Sequence, residues 1–119
     1  MATTTANEPQ AELSACCAPL AAESVSAEDA VVLAAKFKAL GDPTRVRLLS
    51  MVASTSSAEA CVCDLTEPVG LSQPTVSHHL KVLVDAGLLT RTKRGIWSYY
   101  AVVPGALSEL ATTLTAVDA

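Results

Sequence analysis

The stretch GLSQPTVSHHLKVLVDAGLL (70–89) leaves the backbone few choices. Ser72 is a strong helix N-cap, Pro74 falls in the first turn where no backbone donor is needed, and Leu71 stands where it can staple Val76. Val76, Leu80, Leu83 and Val84 repeat at helical spacing, and Gly87 supplies the stop. At about 100° per residue, Thr75, His78, Lys81 and Asp85 fall well away from that apolar face. Just upstream, Val62 to Val69 predicts a shorter helix closed by Gly70, with Pro68 distorting its last turn. Two helices around a tight turn at Gly70-Leu71 put the second across the first. Its amino-terminal turns are then free to enter a DNA major groove.

The flanks complete the pattern. Residues 1–10 are small and polar and predict a disordered tail, followed by one domain over 11–119. A helix is predicted over Ala11–Ala22, bent near Pro19. Ser26, Glu28 and Asp29 start another, in which Val31, Ala34, Ala35, Lys38 and Val32, Leu33, Phe37, Leu40 divide into an inner and an outer face before Gly41 ends it. Asp42 as N-cap and Pro43 at the first helical position open the next, carrying Val46, Leu48, Leu49 and Val52 and fading at 54–57. From Leu88 to Val103, LLTRTKRGIWSYYAVV is rich in β-formers, with a hairpin turn predicted at Lys93-Arg94-Gly95. Pro104 opens a closing helix to Val117, striped by Leu107, Leu110, Ala111 and Leu114. The predicted class is mainly α with a β-hairpin wing: a winged helix–turn–helix. A chain of 119 residues buries a modest fraction of its surface, so a dimer is expected.

A formal net charge of −4 argues against DNA only until its distribution is seen. Residues 1–42 hold Glu8, Glu12, Glu23, Glu28, Asp29 and Asp42 against Lys36 and Lys38. Residues 72–100 hold Lys81, Arg91, Lys93 and Arg94 against Asp85 alone, and local potential is what attracts phosphate. Candidate contacts to double-stranded DNA are therefore Ser72, Gln73, Thr75, Ser77, His78 and Lys81 on the reading helix. Arg91, Lys93 and Arg94 on the hairpin join them. The alternative is a solvated helix face and a soluble turn. Trp97, Tyr99 and Tyr100 fit strand faces better than a base-stacking platform.

The amino terminus has neither the basic start nor the apolar core of a secretion signal, and no run is long enough to span a membrane. A cytoplasmic protein without membrane attachment is expected. Cysteines there are seldom structural disulfides, so the pairs Cys16/Cys17 and Cys61/Cys63 point to metal, metalloid or redox chemistry. Thiolates are soft ligands and select zinc, cadmium, lead or trivalent arsenic over magnesium or calcium. Cys61 and Cys63 stand about 200° apart on an ideal helix, so joint chelation requires an extended or unwound start. A helix start is also expected to lower a thiol's pKa. His78 and His79, adjacent on a helix, diverge too far to share an ion; His78 is expected to face DNA and His79 to flank the core. No Cys-x-x-Cys or phosphate-cradling loop is present, so a thiol enzyme is not expected.

KALGDPTRVRLLS, CVCDL and GLSQPTVSHHLKVLVDAGLLTRTKRGIWSYYAV closely resemble the ArsR/SmtB family of metal- and metalloid-sensing bacterial repressors, over roughly residues 30–105. The resemblance implies a homodimer that binds an operator and releases it when an inducer binds. The stretches Ala11–Ala22 and Pro104–Val117 are the candidate interface. It also implies that Cys61 and Cys63 form an arsenic, antimony, cadmium or lead site. Cys16 and Cys17 resemble thiols that some members bring to the same ion, in several cases from the other subunit. Zinc on the closing helix, used by other members, is not expected here, because that helix offers Glu109 and Asp118 and no His. The leading expectation is release by arsenite, As(III), or by Sb(III). A Cd(II) or Pb(II) sensor using the same thiols, and a thiol redox or persulfide sensor, stay open.

Overall fold

In the computed structural model, which describes residues 24–115, helices begin where the sequence supplies capping residues. Helix α1 (Ala27–Leu40) starts with Ser26 Oγ accepting from Asp29 N at 3.1 Å. Helix α2 (Pro43–Ser54) starts with Asp42 accepting from Arg45 N at 3.1 Å. Strand β1 (Glu59–Cys61) runs directly into α3 (Val62–Val69), which Gly70 ends at φ 72. Helix α4 (Gln73–Asp85) follows, then strands β2 (Leu89–Arg94) and β3 (Trp97–Val102) and helix α5 (Ala106–Thr115). The tail over 1–10, the Ala11–Ala22 helix, and Cys16 and Cys17 lie outside the described residues.

Helix α4 ends in a Schellman motif: Leu88 N donates to Leu83 O and Gly87 N to Val84 O, both at 3.0 Å. Gly87 holds the left-handed φ of 83 that this motif needs. The core between helices and sheet is made of Leu48, Val52, Leu65, Val76, Leu80, Leu83, Leu88 and Leu89, each almost fully buried. Each such side chain contributes about 1.5–3 kcal/mol of burial free energy. Val46, grouped with the apolar face of α2, is instead exposed.

The sheet differs from the expected hairpin in two ways. It has three antiparallel strands in the order β1-β3-β2, because Glu59, Ala60 and Cys61 pair with Ala101, Tyr100 and Tyr99. The turn is Gly95-Ile96, not Lys93-Arg94-Gly95: Arg94 pairs with Trp97, and Gly95, at φ 64, takes the first central position. That is the glycine requirement of a type II′ hairpin turn.

Contacts divide the chain into two compact units. One, Ala35–Ala106, holds the helix–turn–helix and the sheet. The other holds the described residues up to Ala34 and from Leu107 onward. The covered stripe of α1 is Leu33, Lys36, Ala39 and Leu40, at spacings of three and four. Val31, Ala34, Ala35 and Lys38 are all exposed, and of Val32, Leu33, Phe37 and Leu40 only Leu33 and Leu40 are covered, so the inner face is narrower than the predicted division. Val31 is 71% exposed. Among the described residues, no helix is long and apolar enough to cross a membrane.

Candidate nucleic-acid interface and thiol pair

Ser72 caps α4 with its Oγ, accepting from Thr75 N at 3.4 Å and sharing a hydrogen bond with Thr75 Oγ1 at 2.9 Å. With Val76, Leu80 and Leu83 fully buried, the opposite arc presents Gln73, Thr75, His78 and Lys81 to solvent, and Ser77 is half-buried. Lys81 Nζ donates to Asp85 Oδ2 at 2.8 Å. An exposed i,i+4 pair of this kind is worth only about 0.3–0.5 kcal/mol, so a phosphate can displace the carboxylate.

Between α4 and the hairpin lies a cleft of about 510 Å³. Gln73, Ser77 and Lys81 form one wall; Arg91, Lys93, Ile96 and Ser98 form the other. Arg91 Nε donates to Ser98 Oγ at 3.2 Å, which holds its guanidinium along the wall. Lys93 is exposed and has no ion pair among the described residues. The cleft thus brings together five of the nine candidate DNA residues. Ser72, Thr75 and His78 lie on the same helix outside it, and His78 borders a second hollow with Lys38 and Arg45. Arg94 is elsewhere: its guanidinium forks onto Glu59, which also raises its pKa above the ordinary arginine value.

Cys61 ends β1 and is the N-cap of α3, with φ −77 and ψ 146. Its buried Sγ accepts from Cys63 N at 3.4 Å, while Cys63 is exposed beside Asp64. The pair therefore straddles a strand-to-helix junction, which is the extended start that joint chelation requires. The Cys63 thiol is pushed up, not down. Its hydrogen bond with the Cys61 sulfur is the largest cause, followed by desolvation and by the charges of Cys61 and Asp64. The helix-start effect expected from the sequence is outweighed by having a second thiol so close. Among the described residues, no group of three or more His, Cys, Asp or Glu is arranged to hold a metal ion. Cys61 and Cys63 supply two sulfurs, and the residue between them, Val62, lines the cleft.

Two cations that sequence spacing did not single out anchor the reading helix. Lys36 Nζ donates to Ala86 O at 2.9 Å, capping the carboxyl end of α4. Arg45 donates from Nε to Ala39 O at 2.6 Å and from Nη2 to Lys38 O at 3.3 Å. Its Nη1 lies 3.2 Å from His79 Nδ1. A guanidinium only donates, so Nδ1 is the acceptor in this contact. His79 is thereby occupied as a helix anchor, in keeping with its expected place at the core's edge.

A family model described as "Bacterial regulatory protein, arsR family" matches residues 42–91, from the N-cap of α2 into β2. The arsenical resistance operon repressor of Bacillus subtilis (strain 168) is 45% identical over 78 residues, 62% of this chain and 72% of that one. A crystal structure titled as a possible transcriptional regulator for arsenical resistance superposes with a TM-score of 0.58 at 34% identity. That match covers 64% of this chain and 76% of the other. The solution structure of a homodimeric winged helix–turn–helix domain from Mycobacterium bovis shares the fold at 20% identity and a TM-score of 0.61, covering 98% of this chain and 91% of the other.

Proposed function

The chain belongs to the ArsR family of bacterial regulatory proteins, regulators rather than enzymes, and from that premise we propose that it is a homodimeric repressor that leaves its operator when trivalent arsenic or antimony binds its cysteine thiolates. The observation that carries this reading is the Cys61/Cys63 pair at the junction of β1 and α3. Cys61 stands one residue from the cleft and on a strand hydrogen-bonded to the wing. The names of the Bacillus subtilis relative and of the arsenical-resistance structure support arsenic as the inducer.

On this reading Gln73, Thr75, Ser77 and His78 reach base edges, and Ser72, Lys81, Arg91 and Lys93 meet phosphates. A dimer sets two reading helices about one helical turn apart, some 34–36 Å, to match a two-fold operator in the cytoplasm. The homodimeric Mycobacterium bovis neighbour supports that assembly. Trivalent arsenic takes three sulfurs, two from Cys61 and Cys63 and the rest from Cys16 or Cys17. Once bound, it supplies a rigid link among those sulfurs. This chain's own part is to hold Cys61 in an extended backbone and pass any change there to α3 and β3.

The test is operator release. Duplexes selected by the protein from a random-sequence pool are titrated with arsenite, antimonite, Cd(II), Pb(II) and peroxide. Release at the lowest concentration by arsenite or antimonite, lost in Cys61→Ser and Cys63→Ser while DNA binding persists, supports the proposal. Release by Cd(II) or Pb(II) alone assigns the same thiols to the divalent ions, and release by peroxide alone makes them a redox sensor. Arsenite release that survives in the Cys61→Ser/Cys63→Ser double variant overturns the site.

A further inference from the structure

Lys93 and Arg94 are neighbours in the chain, but the sheet sends them to opposite sides. Along β2 the side chains alternate, so Arg91 and Lys93 face the cleft beside the reading helix while Thr92 and Arg94 face away. On that far side Arg94 reaches across β3 to β1. Nη1 lies 2.9 Å from Glu59 Oε1 and Nη2 lies 2.7 Å from Oε2. The guanidinium carbon sits 4.5 Å from the centroid of the Tyr99 ring it covers. The register sets the face: Glu59 stands opposite Ala101, Cys61 opposite Tyr99, and Arg94 opposite Trp97. Cross-strand partners share a face, so Glu59, Cys61, Tyr99 and Arg94 all belong to one side of the sheet.

We infer that Arg94 is a positioning residue of the wing rather than a DNA contact: forked onto Glu59 over the Tyr99 ring, it ties the wing tip to the strand that carries Cys61. Both terminal nitrogens of Arg94 are spent on one carboxylate in the bidentate geometry that makes such pairs strong. The aromatic face beneath holds the guanidinium over the middle strand. A DNA phosphate on the cleft side would have to pull Arg94 off both partners and around the edge of the sheet. The clamp also joins two strands that share no ladder, since β1 and β2 each pair only with β3.

One consequence rests on the proposed thiol-sensing function. Glu59 and Cys61 are two residues apart in a strand of three, so ligation that shifts Cys61 shifts Glu59 with it. The wing tip then follows through Arg94. Inducer binding thereby reaches the wing by a path separate from the one through α3.

The experiment compares the full chain with Glu59→Ala, Arg94→Ala, the double variant and the charge-swapped Glu59→Arg/Arg94→Glu. Operator affinity is measured over a range of salt, with and without arsenite. The clamp predicts several-fold weaker binding in each single variant, although Glu59→Ala removes a negative charge. It also predicts no change in the slope of log affinity against log salt, a double variant no weaker than the worse single, and recovery on charge swapping. Three outcomes overturn it. The first is an Arg94→Ala slope reduced by about 0.9, the signature of one phosphate no longer neutralised. The second is tighter binding in Glu59→Ala, as a freed Arg94 reaches DNA. The third is additive effects in the double variant. Coupling to the thiols requires a smaller arsenite-induced change in affinity in both single variants than in the parent, and an equal change overturns that path. A parent protein indifferent to arsenite overturns the sensing function instead, and the salt and double-variant measurements still decide the clamp.

Discussion

Cys63 holds its proton more tightly than a free thiol, because its hydrogen bond with the Cys61 sulfur favours the neutral form, and desolvation and the nearby charges of Cys61 and Asp64 add to this. A divalent cation must expel that proton, so the affinity of Cd(II) or Pb(II) is expected to rise with pH until Cys63 itself ionises. Arsenous acid carries its own hydroxyl, which leaves with the thiol proton as water. Its affinity is therefore expected to stay nearly flat across the same range. Isothermal titration in buffers of different ionisation heat checks both, since only the divalent ions release protons to the buffer. Equal proton release by arsenite and Cd(II) refutes the distinction. On the reading helix, Ser77 and His78 lie off the core, so Ser77→Ala/His78→Ala should leave the thermal midpoint unchanged. Removing a side chain that hydrogen-bonds a base edge costs about 1–3 kcal/mol of discrimination. The ratio of operator to random-sequence affinity should collapse, and an unchanged ratio would remove these two residues from the interface.

The elements around the turn are held by their ends, and two glycines make the test. Gly70 and Gly87 both sit at left-handed φ, 72 and 83, where an L-residue pays roughly 1–2 kcal/mol. A Cβ on Gly70 meets nothing within 4 Å, whereas one on Gly87 comes within 3.2 Å of Lys36 Nζ. Gly70→Ala should therefore lower stability by about that backbone cost alone. Gly87→Ala should cost more, because it also disturbs the Lys36 cap on Ala86 O. Urea unfolding measures both, and equal destabilisation would show that the Lys36 side chain yields freely. Such ends were legible in the sequence because caps and αL glycines act within a few residues: Ser26, Asp42, Ser72, Gly70 and Gly87 all do what their spacing implied. Strand β1 was not legible, since three residues carry too little periodicity and its partner β3 lies some forty residues downstream. The same distance hid Lys36 and Arg45, whose partners Ala86 and His79 are not local. Placing the turn at Lys93-Arg94-Gly95 removed two residues from β2, and with them the alternation that separates Lys93 from Arg94. The candidate DNA residues on α4 followed from one helix's periodicity. The wing residues needed a register that only pairing supplies.

For the whole molecule, the apolar residues left uncovered bear on assembly. Val31, Val32 and Leu114 are exposed, and all three belong to the unit made of residues up to Ala34 and from Leu107 onward. If the proposed homodimer buries them, Val31→Lys/Leu114→Lys should yield monomers by analytical ultracentrifugation with the far-UV spectrum of the parent. A monomer keeps its reading helix but loses the second half-site, so its specific affinity should fall by orders of magnitude. A variant that stays dimeric places the interface elsewhere. The proposed dimer also bears on the proposed ion site. Cys61 and Cys63 give two sulfurs, arsenic takes three, and the described residues bring no third cysteine. The remaining candidates, Cys16 and Cys17, are more than forty residues from Cys61 in the chain, so they can reach it from the same subunit or from the partner. Mixed dimers separate the two arrangements. One subunit carries Cys16→Ser/Cys17→Ser and the other Cys61→Ser/Cys63→Ser. A cross-subunit site leaves one complete set of three sulfurs in this heterodimer and none in either variant homodimer. The heterodimer should then bind one arsenite per dimer and release operator with it. On the proposed reading, binding would clamp one reading head to its partner, and a few kcal/mol of such coupling would suffice, because each 1.4 kcal/mol is tenfold in affinity. If the heterodimer binds no more arsenite than the two homodimers, the sulfurs of each site come from a single subunit.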